Sequence, residues 1–256
     1  MKRALFISDI HAGSNYSVAA PKSRTDYEGG THGMNPIQKN ILWPRWKEMC
    51  SSEPYDFVVV NGDLVDGINR KSGGLGVWTS IMDLQAEGAA RLLNMIPLKK
   101  GGIIYIVGGT PYHVQDNPGV DQLVSHKINE MGGNAKYVGV EFILKCEGQK
   151  IHITHPCGGG FYYGAMLNRE IVYSYLYEHT FTGMVRGHRH HFHFDSDGHR
   201  FAMMLPAWKC RDDYTAKFGL KYQSQIGWVD MTFDNGAWDY TPHLFSLKNE
   251  IKEVKI

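Results

Sequence analysis

Aspartate and histidine occur together in short clusters along this chain, and these two residue types bind divalent cations. The five clusters lie at residues 9–11 (Asp-Ile-His), 62–66 (Gly-Asp-Leu-Val-Asp), 109–113 (Gly-Thr-Pro-Tyr-His), 154–156 (Thr-His-Pro) and 187–190 (Gly-His-Arg-His). Carboxylates mixed with imidazoles, with almost no thiol, suit two cations such as Mn²⁺, Fe²⁺ or Zn²⁺, with Ni²⁺ as a further option. The sequence therefore predicts a centre for two divalent metal ions.

The spacing within the clusters favours shared ligation. In an extended chain, alternate side chains point to the same side, so Asp9 and His11 can hold one cation together. His188 and His190 have the same spacing. A carboxylate has two oxygens, so Asp63 can bridge two cations roughly 3.5–4 Å apart. Any single histidine here is more readily explained as an ordinary core or surface residue, but the joint pattern is hard to obtain by chance.

Apolar runs precede four of the five clusters and are typical of buried strands. In the first half of the chain these runs cover residues 4–8, 56–61 and 103–107. A mainly parallel sheet gathers its ligands at the carboxyl ends of its strands. Clusters that are far apart in sequence are therefore expected to converge on one edge of a sheet.

The rest of the pattern predicts one α/β domain over residues 1–256. Helical periodicity is found at residues 36–50, 79–95, 120–131 and 164–180, and Pro44 is expected to start or kink the first of these helices. The second half is richer in strands, with turn signals at residues 147–149, 196–198 and 234–236. Residues 13–35 are rich in Gly, Ser, Asn and Pro, which predicts a long loop after the first cluster.

Composition narrows the class of protein. The 256 residues are 43% hydrophobic and 21% charged, which is ordinary for a globular chain, and the net charge of +1 provides no global field for nucleic acid or membranes. No stretch approaches the roughly 20 apolar residues of a membrane span. The four cysteines are widely spaced, which favours reduced thiols. A soluble, cytoplasmic protein is expected.

At the five clusters the sequence resembles the calcineurin-like metallophosphoesterases, whose motifs run D-x-H, G-D-x-x-D, G-N-H-D/E, a lone H and G-H-x-H. The resemblance spans about residues 4–208. It implies a four-layer α-β-β-α sandwich of two mixed β-sheets flanked by helices, with two metal ions, Mn²⁺ foremost, at one sheet edge. It further implies one ion bound by Asp9, His11, Asp63 and His190, and a second bound by Asp63, His155 and His188.

The third cluster departs from the family pattern. Thr110 stands where the family has an asparagine that binds the second metal ion, and a hydroxyl is a poorer ligand than an amide carbonyl. Either Thr110 binds this ion, or a water or Asn117 takes its place. The family's histidine acid is best matched by His113, two residues late, and Asp66 corresponds to the residue that orients it.

The resemblance implies hydrolysis of a phosphoester by a metal-bridged water, with His113 as the proton donor to the leaving oxygen. A phosphodiesterase or nuclease acting on nucleotides or single-stranded nucleic acid is favoured, because a leaving alkoxide benefits most from a histidine acid. Two alternatives stay open: a phosphomonoesterase acting on a small metabolite or phosphoprotein, and a non-catalytic binding scaffold. Candidate phosphate contacts, for which solvated surface charge is an equally good explanation, are Arg189, Lys209 and Arg211.

Overall fold

The structure is a computed structural model that describes residues 1–25, 30–70, 73–114, 119–156, 163–176, 178, 180–212, 216–217 and 224–247. Its helices are α1 (Trp43–Cys50), which continues a π-helical turn (Gln38–Leu42), α2 (Met82–Leu93), α3 (Pro111–Val114), α4 (Val120–Glu130) and α5 (Tyr163–Leu176). Its strands are β1 (Lys2–Ile7), β2 (Arg24–Thr25), β3 (Thr31–His32), β4 (Tyr55–Asn61), β5 (Leu98–Val107), β6 (Ala135–Tyr137), β7 (Glu141–Cys146), β8 (Gln149–Thr154), β9 (Gly183–Arg186), β10 (His193–Ser196), β11 (Phe201–Met204), β12 (Gln225–Asp234) and β13 (Ala237–Ser246).

Two mixed sheets form the centre of the protein. The first has the order β13-β12-β1-β4-β5-β6, and the second has the order β10-β11-β9-β8-β7. In the first sheet, β1, β4, β5 and β6 run parallel, while β12 and β13 are antiparallel additions at one side. In the second sheet, β8, β9 and β11 run parallel between the antiparallel edge strands β7 and β10. The strands that position the site, β1, β4 and β5 in the first sheet and β8 and β9 in the second, are parallel strands in the interior of their sheets.

Side-chain alternation along β1 shows how the layers are built. Leu5 and Ile7 pack into a core shared with α1, α2 and α4, whereas Ala4 and Phe6 pack into a second core against the other sheet. All four side chains are fully buried, as expected for a strand that is covered on both faces. On the outer face of the second sheet, Leu167 of α5 completes a third core. Helices, sheet, sheet and helix form the four-layer sandwich that the motifs predict.

The tight hairpins follow from residues that accept a positive φ. Asn235 (φ 48°) and Gly236 (φ 86°) connect β12 to β13, and Glu147 (φ 47°) and Gly148 (φ 83°) connect β7 to β8. Two consecutive positive φ angles match the right-handed twist of the flanking strands. The predicted turns at 147–149 and 234–236 are therefore confirmed, as is the turn at 196–198 between β10 and β11.

The predicted helices are found with shifted bounds. The helix predicted over residues 36–50 starts as the π-helical turn, and Pro44 lies in the first turn of α1, where its missing N–H is tolerated. The helix predicted over 164–180 is α5, which the structure describes from Tyr163 to Leu176. Within the described part of the chain, no helix combines the length and apolar character needed to cross a membrane. Cys50, Cys146 and Cys210 are free thiols.

Candidate metal centre

Each of the five clusters begins where a strand ends. Residues 9–11 follow β1, residue 63 follows β4, residue 110 follows β5, residue 155 follows β8 and residues 188–190 follow β9. Both sheets contribute, since β1, β4 and β5 belong to the first and β8 and β9 to the second. The carboxyl ends of the inner strands of the two sheets therefore meet at this centre.

The candidate ligands share an unusual backbone conformation. Positive φ angles are found at Asp9 (54°), His11 (50°), Asp63 (49°), His188 (71°) and His190 (56°). Asp, Asn and His enter this left-handed region several-fold more often than other residues with a Cβ atom. Asp9 and His11 also lie beyond the end of β1. Strand alternation, from which the sequence predicted their pairing, is therefore not what brings them together. The sharp turns after the strands do so.

Asp9, His11 and His190 form the first ligand group. Asp9 Oδ1 lies 3.1 Å from His190 Nε2 and 3.6 Å from His11 Nε2, and the two Nε2 atoms are 3.2 Å apart. Donor atoms at these separations can surround one cation with bonds of about 2.0–2.2 Å. Three of the four ligands predicted for the first ion are therefore in place together.

Asp63, His155 and His188 form the second ligand group. Asp63 Oδ2 lies 2.9 Å from His155 Nε2 and 3.8 Å from His188 Nδ1. Asp63, predicted to bridge both ions, falls in this second group. The atom that approaches both groups is Asp9 Oδ1, which is 3.7 Å from His155 Nε2. The two groups therefore adjoin one another.

Buried polar atoms without hydrogen-bond partners indicate that this centre suits cations. Asp9 Oδ1 and His155 Nε2 are both buried and make no hydrogen bond of good geometry, although His190 Nε2 lies 3.1 Å from the first and Asp63 Oδ2 lies 2.9 Å from the second. Native proteins rarely leave such atoms unsatisfied, because an unmatched buried polar group is costly. Carboxylate oxygens and imidazole nitrogens are suitable donors for Mn²⁺, Fe²⁺ or Zn²⁺. The residues present therefore fit the metal ions that the motifs imply.

The carboxylates and histidines of the centre shift one another's pKa values. Burial opposes ionisation of Asp9, but the charges of His155 and His190 outweigh it and hold the pKa of Asp9 well below its usual value. The same balance, with His155 and His113 as the opposing charges, lowers the pKa of Asp63. For His155, burial is outweighed by Asp63 and Asp9, which raise its pKa to about 9. Both carboxylates are thus anionic and ready to bind cations over the ordinary pH range.

The backbone around Asp9 fixes its carboxylate. Asp9 Oδ2 accepts hydrogen bonds from Ser8 Oγ at 2.5 Å and from the backbone N–H of His188 at 3.0 Å. The carbonyl of Asp9 accepts the backbone N–H of Trp208 at 2.9 Å. With Oδ2 held in this way, Oδ1 is the oxygen left to face the histidines. The role of Ser8 was not predicted, because nothing in the sequence marks this residue except its position next to Asp9.

Thr110 contacts Asp63 in the structure. Its backbone N–H and its hydroxyl both donate to Asp63 Oδ1, at 2.6 and 3.0 Å. Gly109 makes this approach possible, because a Cβ atom there would overlap the backbone and carboxylate of Asp63. Thr110 thus orients Asp63 and leaves Oδ2 toward the histidines. Asn117, the other residue considered for this position, lies outside the described residues.

His113 is presented by the one-turn helix α3. Its Nδ1 donates to the backbone carbonyl of Asp66 at 2.8 Å, and its Nε2 lies 3.8 Å from Asp63 Oδ2. Burial lowers the pKa of His113 to about 4, although the charge of Asp63 opposes this shift. The resemblance implies that the Asp66 carboxylate orients His113, but in the structure His113 is hydrogen-bonded to the main-chain oxygen of Asp66. The Asp66 carboxylate lies next to His11, with Oδ1 3.1 Å from His11 Nδ1.

The three candidate phosphate contacts have different surroundings. Lys209 is 7% exposed and its Nζ lies 2.7 Å from Asp66 Oδ1 and 3.2 Å from Asp212 Oδ2. Arg211 Nη2 donates to the carbonyl of Ala216 at 2.8 Å. Arg189 is partly buried and lies between the ligands His188 and His190. Lys209 is therefore part of the buried centre, which is not the usual position of a solvated surface lysine.

Asp121 is a buried carboxylate that sequence reasoning missed. It lies in the first turn of α4, and its Oδ2 accepts the backbone N–H of Gly109 at 2.8 Å. Burial, reinforced by the charge of Asp63, raises the pKa of Asp121 to about 6. Asp121 thus anchors the turn that carries Thr110. An acidic residue in the first turn of a helix is common on stability grounds alone, so its sequence context does not single it out.

Asp121→Asn is expected to change how stability depends on pH. An Asp whose pKa is higher in the folded protein than its unfolded value of about 3.9 loses stability as the pH rises from about 4 to about 6. Asparagine keeps an acceptor for Gly109 and removes this loss. The stability of the variant relative to wild type should therefore rise by on the order of 2–3 kcal/mol between pH 4 and pH 7. Urea unfolding of EDTA-treated protein at several pH values measures this difference. Parallel curves of unfolding free energy against pH for the two proteins would contradict the raised pKa of Asp121.

Two mixed sheets flanked by helices thus carry a carboxylate–imidazole centre at their joined strand ends, which is the layout that the resemblance implies. No family model matches the chain, and no curated protein matches it either. The chain is similar to solved structures of low identity. A single mutant of Vps29 from Entamoeba histolytica is 12% identical, with a TM-score of 0.48 over 95% of this chain and 99% of that one.

Two further structures show the same degree of similarity. Wild-type Vps29 from Entamoeba histolytica, complexed with Zn²⁺, is 10% identical with a TM-score of 0.46, over 94% of this chain and 98% of that one. An archaeal phosphodiesterase is 9% identical with a TM-score of 0.48, over 94% of this chain and 99% of that one. At TM-scores below 0.5 these likenesses carry no weight for function, which has to follow from the site itself.

Proposed function

We propose that this protein is a metal-dependent phosphoesterase that hydrolyses phosphodiesters of nucleotides or single-stranded nucleic acid. The observation that supports this most is that the two ligand groups adjoin, with Asp9 Oδ1 3.7 Å from His155 Nε2. Two adjoining sites of mixed carboxylate and imidazole ligands suit paired cations, and paired cations are typical of phosphoester hydrolysis.

In this proposal, Asp9, His11 and His190 hold one cation and Asp63, His155 and His188 hold the other. Bound divalent cations would activate water and neutralise charge on the phosphoryl oxygens. Thr110 keeps Asp63 in place by donating two hydrogen bonds to its Oδ1. Ser8 keeps Asp9 in place by donating one hydrogen bond to its Oδ2. Because these contacts pre-orient the carboxylates, little reorganisation is needed when cations bind.

A chromogenic assay tests the proposed function. The protein is stripped with EDTA, supplied with Mn²⁺, and compared on bis(p-nitrophenyl) phosphate and p-nitrophenyl phosphate. We expect hydrolysis that requires the added cation and a higher kcat/KM for the diester. A preference for the monoester would overturn the diesterase assignment in favour of a phosphomonoesterase. The absence of hydrolysis with Mn²⁺, Fe²⁺, Zn²⁺ and Ni²⁺ on both substrates would overturn the enzyme assignment.

A binding scaffold is the second candidate, and the environment of Thr110 favours it. This residue supplies two donors to Asp63, at the position where the resemblance implies an amide oxygen facing the cation. One ligand fewer would weaken the second site and slow turnover. Metal analysis separates the two functions. The enzyme assignment expects about two ions per chain, whereas a scaffold that has lost its centre would hold fewer than about one.

His113→Asn is expected to affect substrates unequally. Asparagine can keep the donor to the Asp66 carbonyl, but it removes Nε2. Burial keeps this nitrogen unprotonated in the free protein at neutral pH, and the negative charge of a bound phosphodiester would favour its protonation. A p-nitrophenolate leaves without protonation, so kcat/KM for its diester should fall little. A diester with an alkoxide leaving group should lose about 10²–10⁴-fold. The control is His126→Asn, which replaces an exposed histidine on α4 and should leave kcat/KM unchanged on both substrates. Equal losses on both substrates would contradict a role as an acid.

A further inference from the structure

A chain of buried charges links the first ligand group to a loop in the last third of the sequence. Lys209 Nζ lies 3.2 Å from Asp212 Oδ2 and 2.7 Å from Asp66 Oδ1, and the same Asp66 oxygen lies 3.1 Å from His11 Nδ1. The side chains of all four residues are at most 10% exposed. On the far side of the His11 ring, Nε2 faces Asp9 and His190. The chain therefore ends at a metal ligand.

We propose that Lys209 is a positioning residue for the metal centre: its ammonium group holds the Asp66 carboxylate against His11 Nδ1, so that His11 presents Nε2 to the cation. The proposal rests on the metal centre of the proposed function. A carboxylate behind a ligating imidazole fixes its tautomer and orientation and increases its basicity. The contact between Nδ1 and Asp66 is close but outside strict hydrogen-bond geometry, so the position of Asp66 depends on what else holds it.

The backbone on either side of Lys209 is joined to the loop that carries His11. The N–H of Trp208 donates to the carbonyl of Asp9 at 2.9 Å, and the N–H of Cys210 donates to the carbonyl of Tyr16 at 2.8 Å. Lys209 itself forms a β-bridge with Ser17. The segment that supplies the ammonium group and the segment that supplies the imidazole are thus held in register, which a positioning role requires.

The same geometry argues against two other roles. His11, Asp66 and His113 also lie close enough together to suggest a third cation site. However, the Lys209 ammonium group already places a positive charge 2.7 Å from the Asp66 carboxylate, and a cation there would be repelled. A phosphate contact would compete with the ion pairs that Lys209 makes with two buried carboxylates, and breaking buried ion pairs is costly. Lys209 is therefore assigned to the cation site and not to the substrate.

Cobalt titration of EDTA-stripped protein tests the proposal, since Co²⁺ reports its own ligation through visible absorption. Wild type is expected to bind two ions. Lys209→Met should weaken one of them by about 10- to 100-fold, the usual effect of losing a partner behind a metal ligand. Lys209→Arg, which keeps the positive charge, should restore most of the affinity. Asp212→Asn, which leaves Lys209 paired with Asp66, should show a smaller loss in the same direction.

Controls separate this proposal from the proposed function. Lys127→Met removes a lysine of another ion pair, with Asp83 on α2, and should leave Co²⁺ binding unchanged. Thermal melts show whether each variant is folded, and Asp212→Asn provides the test if Lys209→Met is not. If wild type binds metal and both Lys209→Met and Asp212→Asn bind Co²⁺ with unchanged affinity, the positioning role is overturned. A raised KM for the diester in these variants would then indicate a substrate contact. If wild type binds no Co²⁺, both proposals fail.

Discussion

Asp63→Asn is expected to reduce phosphodiester hydrolysis by at least about 100-fold, which is the loss seen when one preorganised electrostatic contact is removed from an active site. Asp63 is 1% exposed, and its Oδ2 lies 2.9 Å from His155 Nε2 at the middle of the second ligand group. Asparagine keeps an oxygen that can accept both hydrogen bonds from Thr110. The fold should therefore survive while the negative charge and one ligand oxygen are lost.

Metal content and activity are measured on the same preparations of Asp63→Asn. We expect the variant to retain about one ion fewer per chain than wild type, together with the loss of kcat/KM for bis(p-nitrophenyl) phosphate. Asp83→Asn is the matched control, because Asp83 is an exposed carboxylate on α2 that pairs with Lys127. An Asp63→Asn protein with wild-type activity would refute the assignment of the activity to this centre. If wild type also held fewer than about one ion per chain, the enzyme assignment would fail.

Gly62→Ala is expected to destabilise the protein by about 2–5 kcal/mol and to disable the second ligand group. Gly62 has φ +77°, a conformation that is unfavourable for alanine, and a Cβ atom at this position would overlap the ring of His155. The ring cannot move aside easily, because His155 Nδ1 is hydrogen-bonded to the carbonyl of Asn61. Relief of the overlap therefore has to displace His155, and with it the ligand pair with Asp63.

Gly198→Ala is the matched control for Gly62→Ala. Gly198 also has a positive φ of +87°, but a Cβ atom there would meet no neighbour within 4 Å. Gly198→Ala should therefore lower the free energy of unfolding only through the unfavourable backbone conformation, by about 1–2 kcal/mol. Its metal binding should be normal. Urea unfolding and Co²⁺ titration compare the two variants. Equal destabilisation with intact metal binding in both would show that the contact between Gly62 and His155 has no role in the site.

The layout of the fold could be predicted because its signals are local. The apolar run at residues 56–61 is followed directly by Gly62 and Asp63. An apolar run followed by turn residues and an acid is the pattern expected for a buried parallel strand that leads into a polar turn. Turn residues such as Asn235 and Gly236 likewise record the φ angles that they must adopt. The convergence of the clusters then followed from the geometry of parallel strands, and it needed no knowledge of side-chain contacts.

The partners of individual side chains could not be predicted in the same way. The contact between Asp66 and His11 depends on the angle of a turn, and that of Lys209 with Asp66 joins residues 143 positions apart. Asp121 carries no sequence signal, because an acid in the first turn of a helix is expected on stability grounds alone. In each case the packing of two loops decides the contact, and no local pattern records it.

The left-handed backbone at five candidate ligands restricts how this site can be redesigned. Cysteine would bring a soft donor atom, but at Asp9, His11, Asp63, His188 and His190 it would have to adopt a conformation that it enters less often than Asp, Asn or His. Asp, Asn and His are the ligand types that tolerate it. The main chain therefore opposes engineering toward soft, thiol-seeking metals, at a cost of about 1–2 kcal/mol for each substituted ligand, whereas exchanges among Asp, Asn and His can adjust charge without rebuilding a loop.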